Sequence, residues 1–253
     1  MRAHFAIANH PERKQSPIPR EIFNRIKLLF HARRLLHRTK HFPYKAVFFF
    51  LLSTFLLFSC SAPSTPATPQ VVSVYSTSAA EPWLPALYDC AGTSAVISRV
   101  DDSASADIVL RVGEPRVLTS AAYQIDSEDI LIVTNRQSPV QNLTLEGARA
   151  LFAGRVDSSV QVWVYSSEAD VQEVFDRLVM GGSSVASSAR VAVTPQQMSD
   201  TLVNESNAVG ILPRHWKAGD DREVFSVARV PVLAMTQSEP QGVIKELIAC
   251  LQK

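Results

Sequence analysis

Hydrophobic and polar positions divide the 253-residue chain into two unlike parts. Residues 46–59 form a fourteen-residue apolar run relieved only by Ser53, Thr54 and Ser59. That is short of the roughly eighteen residues a membrane-spanning helix needs, and it fits the apolar core of an export signal. Beyond residue 70 the apolar positions fall into short segments of alternating character. Residues 71–75, 95–100, 107–112, 160–165, 208–212 and 224–234 read as strands. The run 129–134 (Asp-Ile-Leu-Ile-Val-Thr) lacks alternation, as expected of a strand buried on both faces or crossing between two lobes.

Helical spacing occurs in five places. Trp83, Leu84, Leu87 and Tyr88 follow Pro82, and Leu145, Ala148, Leu151 and Phe152 follow Thr144 and stop at Gly154. Val171, Val174, Phe175 and Leu178 follow Ser167 and Asp170, which are spaced as a capping box. Thr194-Pro195-Gln196-Gln197 supplies a capping hydroxyl, a proline at the first helical position and Gln at the third. Pro240 opens a last helix through Ile244, Leu247, Ile248 and Leu251. Strands alternating with helices predict an α/β chain with parallel crossovers. No internal repeat and no glycine-rich phosphate loop is visible.

The apolar run is preceded by a basic segment and closed by Leu57-Phe58-Ser59-Cys60, which resembles a bacterial lipoprotein signal. Cleavage ahead of Cys60 with lipidation of its sulfur is expected; the alternative is an uncleaved anchor helix. Residues 1–45 hold eleven Lys or Arg against two Glu, which keeps them cytoplasmic and sends the rest of the chain outward. Two acyl chains on Cys60 would give stable anchoring. Residues 1–59 are thus read as a signal with an over-long basic start, and 60–70 as a lipidated cysteine plus a Pro/Ser/Thr tether.

Composition changes once the leader is set aside. Removing its eleven basic and two acidic residues from 25 and 24 leaves 14 and 22, a net charge of −8. Such a chain is a poor partner for nucleic acid. Beyond Cys60 only Cys90 and Cys250 remain, placed either for a disulfide in an oxidising compartment or as buried thiols. His215 is the one histidine left, without a Gly-x-Ser-x-Gly elbow for a hydrolase or enough ligands for a zinc site. Paired acids such as Asp101-Asp102 and Asp220-Asp221 read as solvated turns. No enzyme activity, no metal and no cofactor is expected.

Residues 142–155 (Asn-Leu-Thr-Leu-Glu-Gly-Ala-Arg-Ala-Leu-Phe-Ala-Gly-Arg), preceded by 129–135 and Ser138-Pro139-Val140, resemble the centre of the phosphate-type periplasmic solute-binding proteins. Residues 208–213 (Ala-Val-Gly-Ile-Leu-Pro), 230–234 and Glu239-Pro240 match later segments in the right order. The resemblance spans 71–253. It implies two α/β lobes, each a mixed, mostly parallel sheet flanked by helices and joined by hinge strands. Lobe 1 would be 71–127 plus 222–253, and lobe 2 would be 128–221. Ligand would sit between them, held by helix starts and hydroxyls.

Carried over by position, Ser76, Thr77 and Ser78 form the first ligand loop, with plain capping of the following helix as the competing role. Gly113 and Glu114 could line the same cleft or form a solvated turn. The second lobe departs from the family: aligned on Phe175, Tyr165 stands where an Arg is expected, and Ala169-Asp170-Val171 replaces Ser-Gly-Thr. Ser166 and Ser167 are the available substitutes. Asp170 brings a negative charge toward an incoming anion, unless it caps back onto Ser167. The expected function is a membrane-anchored, extracytoplasmic binder of a small anion or polar solute, serving an ABC permease. The alternative is an envelope lipoprotein whose degenerate cleft serves sensing or protein contact.

Overall fold

The computed structural model describes residues 68–156 and 159–253. The leader, Cys60 and most of the tether lie outside the described residues, as does the lipidation expected at Cys60. Among the described residues no helix is long and apolar enough to cross a membrane.

Eight strands hydrogen-bond in the order β2-β1-β3-β8-β4-β7-β5-β6. They are β1 (Gln70–Ser76), β2 (Ala95–Arg99), β3 (Ile108–Val112), β4 (Ala121–Thr134), β5 (Gln161–Val164), β6 (Arg190–Val191), β7 (Ala208–Pro213) and β8 (Arg222–Thr236). The helices are α1 (Leu84–Ala91), α2 (Leu145–Phe152), α3 (Asp170–Phe175), α4 (Pro195–Asn204) and α5 (Gly242–Leu251). The architecture is the mixed α/β one expected, with one continuous ladder where two sheets were anticipated. The reason is the length of β4 and β8, 14 and 15 residues, which run side by side through both halves.

Register divides this ladder. Up to Ser127, β4 pairs with β8 from Pro231 onward, and that part of β8 pairs with β3 on its other side. From Glu128 on, β4 pairs with Arg222–Val230 and, on its other edge, with β7. Each half is therefore five strands wide with the same pattern: β2-β1-β3 parallel in one, β6-β5-β7 parallel in the other, and each closed by antiparallel β4 and β8. In both, the first strand in the chain lies in the middle and the second at the edge.

The local signals explain most elements. Thr144 caps α2 by accepting from Gly147 N–H at 3.1 Å, and Thr194 caps α4 by accepting from Gln197 N–H at 3.1 Å. Gln197 at the third position reaches back to Val193 N–H at 2.7 Å, which supplies the second bond of a capping arrangement. Ile130, Leu131, Ile132 and Val133 are fully buried, so the missing alternation reflects burial on both faces.

Three features differ from the sequence reading. The segment 121–128 continues β4 even though Tyr123, Gln124 and Asp126 look polar, because its edges are paired rather than its faces buried. Residues 78–83 form a 3₁₀ turn ahead of α1, with Pro82 inside it. Helix α3 begins after Ala169, not after a Ser167 cap, and beyond Phe175 it widens into a π-helical turn (Asp176–Met180). A disulfide joins Cys90 of α1 to Cys250 of α5 across a separation of 160 residues. It staples the two helices that cover the first half.

Candidate functional site

Two strand-to-helix turns face each other where the halves meet. The first leaves β1 and carries Ser76, Thr77 and Ser78; the second leaves β5 and carries Tyr165, Ser166 and Ser167 before α3. They line a cavity of about 240 Å³ whose wall includes Tyr75, Thr77 and Ser78 from one side and Ser166, Glu168 and Asp170 from the other. No Lys or Arg lines it.

Asp170 bridges the meeting point. Its Oδ2 accepts from the Thr77 hydroxyl at 2.6 Å and from Val112 N–H at 2.8 Å, while Oδ1 accepts from Val171 N–H at 2.9 Å. The residue is only 5% exposed. Burial pushes its carboxyl above the usual 3.8, opposed by the bonds from Thr77 and Val112 and by the charge of Arg111. One turn along α3, Glu173 pairs with Arg111 at 2.9 Å and accepts from Arg116 N–H at 2.5 Å. The second half thus presents two carboxylates to donors of the first.

The expected site residues separate in space. Thr77 and Ser78 line the cavity, whereas the Ser76 hydroxyl turns back to the Thr77 carbonyl at 3.0 Å. Thr77 occupies the capping position of the 3₁₀ turn without a side-chain cap bond, because its hydroxyl is given to Asp170. Ser166 lines the same cavity; Ser167 lines a different, larger one. The capping box expected of Ser167 and Asp170 is replaced by the cross-cleft bonds of Asp170, which satisfy a buried carboxylate better than an exposed serine amide could. Gly113 is buried with φ +76°, and a Cβ there would stand 2.5 Å from Val174 Cγ2, so the turn after β3 is a close approach to α3. Glu114 is exposed.

A second contact lies around Trp83. Its Nε1 donates to Asp126 at 2.9 Å, holding that carboxyl below its usual range, and its ring sits 4.6 Å from the ring of His215. His215 Nδ1 lies 2.6 Å from Oε2 of the buried Glu128, and Trp216 Nε1 donates to the Ala79 carbonyl at 3.2 Å. His215 is half exposed and tied to a buried acid. Among the described residues no cluster of three metal-type ligands occurs.

Scanned against known protein families the chain matches none, and no curated protein matches it in sequence. Solved structures share its fold. An ABC-type phosphate transport receptor from Vibrio cholerae superposes with a TM-score of 0.57 at 17% identity, covering 72% of this chain and 93% of the receptor. A putative phosphate ABC transporter substrate-binding protein with bound phosphate from Clostridium perfringens gives 0.64 at 14%, with the same coverages of 72% and 93%. The Synechocystis CcmR regulatory domain in complex with 2-PG gives 0.55 at 9%, covering 72% and 96%. The fold is therefore the periplasmic-binding-like one, which is shared by binding proteins and by regulatory domains.

Proposed function

We propose that this chain is an extracytoplasmic, lipid-anchored solute-binding protein whose lobes, 71–127 plus 222–253 and 128–221, meet at the cavity between Thr77-Ser78 and Ser166-Asp170. The observation that carries the reading is that cavity: hydroxyls from two topologically equivalent turns converge on about 240 Å³, a volume suited to a small solute. The phosphate-binding neighbours support a small ligand there.

Between the two solutes the sequence leaves open, a small anion or a neutral polar molecule, the lining supports the polar one. An anion reaching the Thr77 hydroxyl meets the Asp170 carboxylate already there. Two unit charges about 4 Å apart repel by about 4 kcal/mol at an effective dielectric near 20, roughly a thousandfold in affinity. A solute offering an amine or hydroxyl would instead donate to Asp170 or Glu168. The signal-like residues 46–60 support the anchored location, and the phosphate-transport neighbours support delivery to an ABC permease as its role.

Thermal unfolding of the full-length protein in detergent, with and without phosphate, sulfate, molybdate, amino acids and polyols, tests this. A solute at a hundred times its Kd adds about 2.7 kcal/mol. Amine- or hydroxyl-bearing solutes should raise the melting temperature, and Thr77→Val with Ser78→Ala should abolish the rise. If no small solute acts, the Asp170 bridge favours the other reading, a closed two-lobed lipoprotein used for sensing or protein contact.

A further inference from the structure

A second cavity is larger than the one between Thr77 and Asp170. It lies on the other flank of α3, has a volume of about 630 Å³, and contains what the first lacks: the side chains of Arg116 and Arg177. Arg116 comes from the loop after β3 and Arg177 from the π-helical turn that extends α3, so the two halves of the molecule each contribute a guanidinium. Asp176 is the one acid in the lining, and its Oδ1 is engaged by Gln172 Nε2 at 2.8 Å. Glu173, outside the lining, pairs with Arg111 at 2.9 Å through one oxygen and with Arg116 Nε at 3.6 Å through the other, and Arg177 Nη1 donates to the Glu114 carbonyl at 3.3 Å. The lining itself therefore sets two cations against one acid, in a region whose net charge is −8 once residues 1–45 are set aside.

Three further observations point to a ligand. Tyr165 forms the wall between this cavity and the solute cleft, lining both; it is 4% exposed, yet its hydroxyl has no hydrogen-bond partner. Buried donors without partners are uncommon in native proteins and mark places where a ligand or functional group completes the bonding. The π-helical turn ends at Gly181 and Gly182, both in left-handed backbone (φ +56° and +91°), which swings Ser183 and Ser184 into the lining. Irregular π-turns of this kind occur often at functional sites. Finally, Val164 and Val185 give the cavity an apolar part, so a bare oxyanion would leave it unfilled.

The geometry points to a second binding site, for a small organic anion: a carboxylate or phosphate group held by Arg116 and Arg177, its carbon body against Val164 and Val185, and one oxygen accepting from Tyr165. Guanidinium pairs suit such groups because their N–H forks match the planar oxygens. The site is distinct from the solute cleft: Arg116 and Arg177 do not line that cleft, Thr77 does not line this one, and Tyr165 is the one residue the two linings share.

Calorimetric titration of the full-length protein in detergent with succinate, glucose 6-phosphate and inorganic phosphate tests the assignment. At least one organic anion should bind more tightly than inorganic phosphate. Arg177→Gln should weaken it at least tenfold, Arg116→Gln with Arg177→Gln should remove it, and Tyr165→Phe should weaken it a few-fold. Thr77→Val should leave it unchanged. Both arginines are largely exposed, so their glutamine variants should keep the wild-type melting temperature, and that is the control for folding. Absence of binding by both organic anions, binding unaffected by the double glutamine change, or binding lost in Thr77→Val would each overturn the assignment.

Discussion

The turn after β1 and the turn after β5 occupy equivalent places in the two halves. Each leaves the middle strand of a parallel trio at its C-terminal end, and each leads into helical structure. Their chemistry is opposite. The first presents the Thr77 hydroxyl and, from neighbouring β3, the Val112 amide, both donors. The second presents Asp170, an acceptor. The second half thus brings an acid of its own to the donors of the first. The halves are therefore bridged from within, and the cationic groups lie in the adjoining cavity.

The largest way to disturb this comparison is to loosen one half alone. Reducing the Cys90–Cys250 disulfide releases a loop of 160 residues, which costs about 5 kcal/mol in the chain-entropy picture. Because it ties α1 to α5, hydrogen exchange should rise first in β1, β2 and β3, with β5 and β7 keeping their protection. Simultaneous loss in all five strands would show that the halves unfold as one unit.

A smaller effect is expected from Gly113→Ala. Its left-handed backbone and its contact with Val174 should together cost roughly 2–4 kcal/mol in chemical denaturation. Adding Val174→Ala should recover the steric part and leave the backbone part. Full recovery would mean that the backbone conformation is not strained by a side chain.

Asp170→Asn should change stability least, by about 1 kcal/mol near neutral pH, because it loses an accepting oxygen while removing a buried charge. Its signature is in pH dependence. The folded protein holds the Asp170 proton more tightly than the unfolded chain, so wild-type stability is complete below about 3.8 and declines as pH rises toward the elevated value. The asparagine variant should lack that decline. It should also admit phosphate to the cleft, measured as a larger phosphate-dependent rise in melting temperature than the wild type shows.

Much of the fold was legible along the chain because its elements carry local signals. Thr144 and Thr194 cap where expected, Ile130 to Val133 announce a doubly buried strand, and Thr77, Ser78 and Ser166 line one cavity. What could not be read depends on partners distant in sequence. The polar start of β4 is a strand because β8 pairs with it. Ser167 turned to another cavity because α3 starts later than its capping pattern indicated. Arg116 and Arg177, 61 positions apart, had no spacing to mark them as neighbours.

The sequence by itself determined the element order, the charge contrast between residues 1–45 and the remainder, and the hydroxyls at the first turn, since these follow from side chains and their near neighbours. Only the tertiary structure decided that the two halves repeat one topology without repeating a sequence, and that Asp170 bonds Thr77 across 93 positions rather than capping its own helix. The physical reason is burial: a carboxylate removed from water takes the donors that folding brings to it, and no local pattern names those in advance.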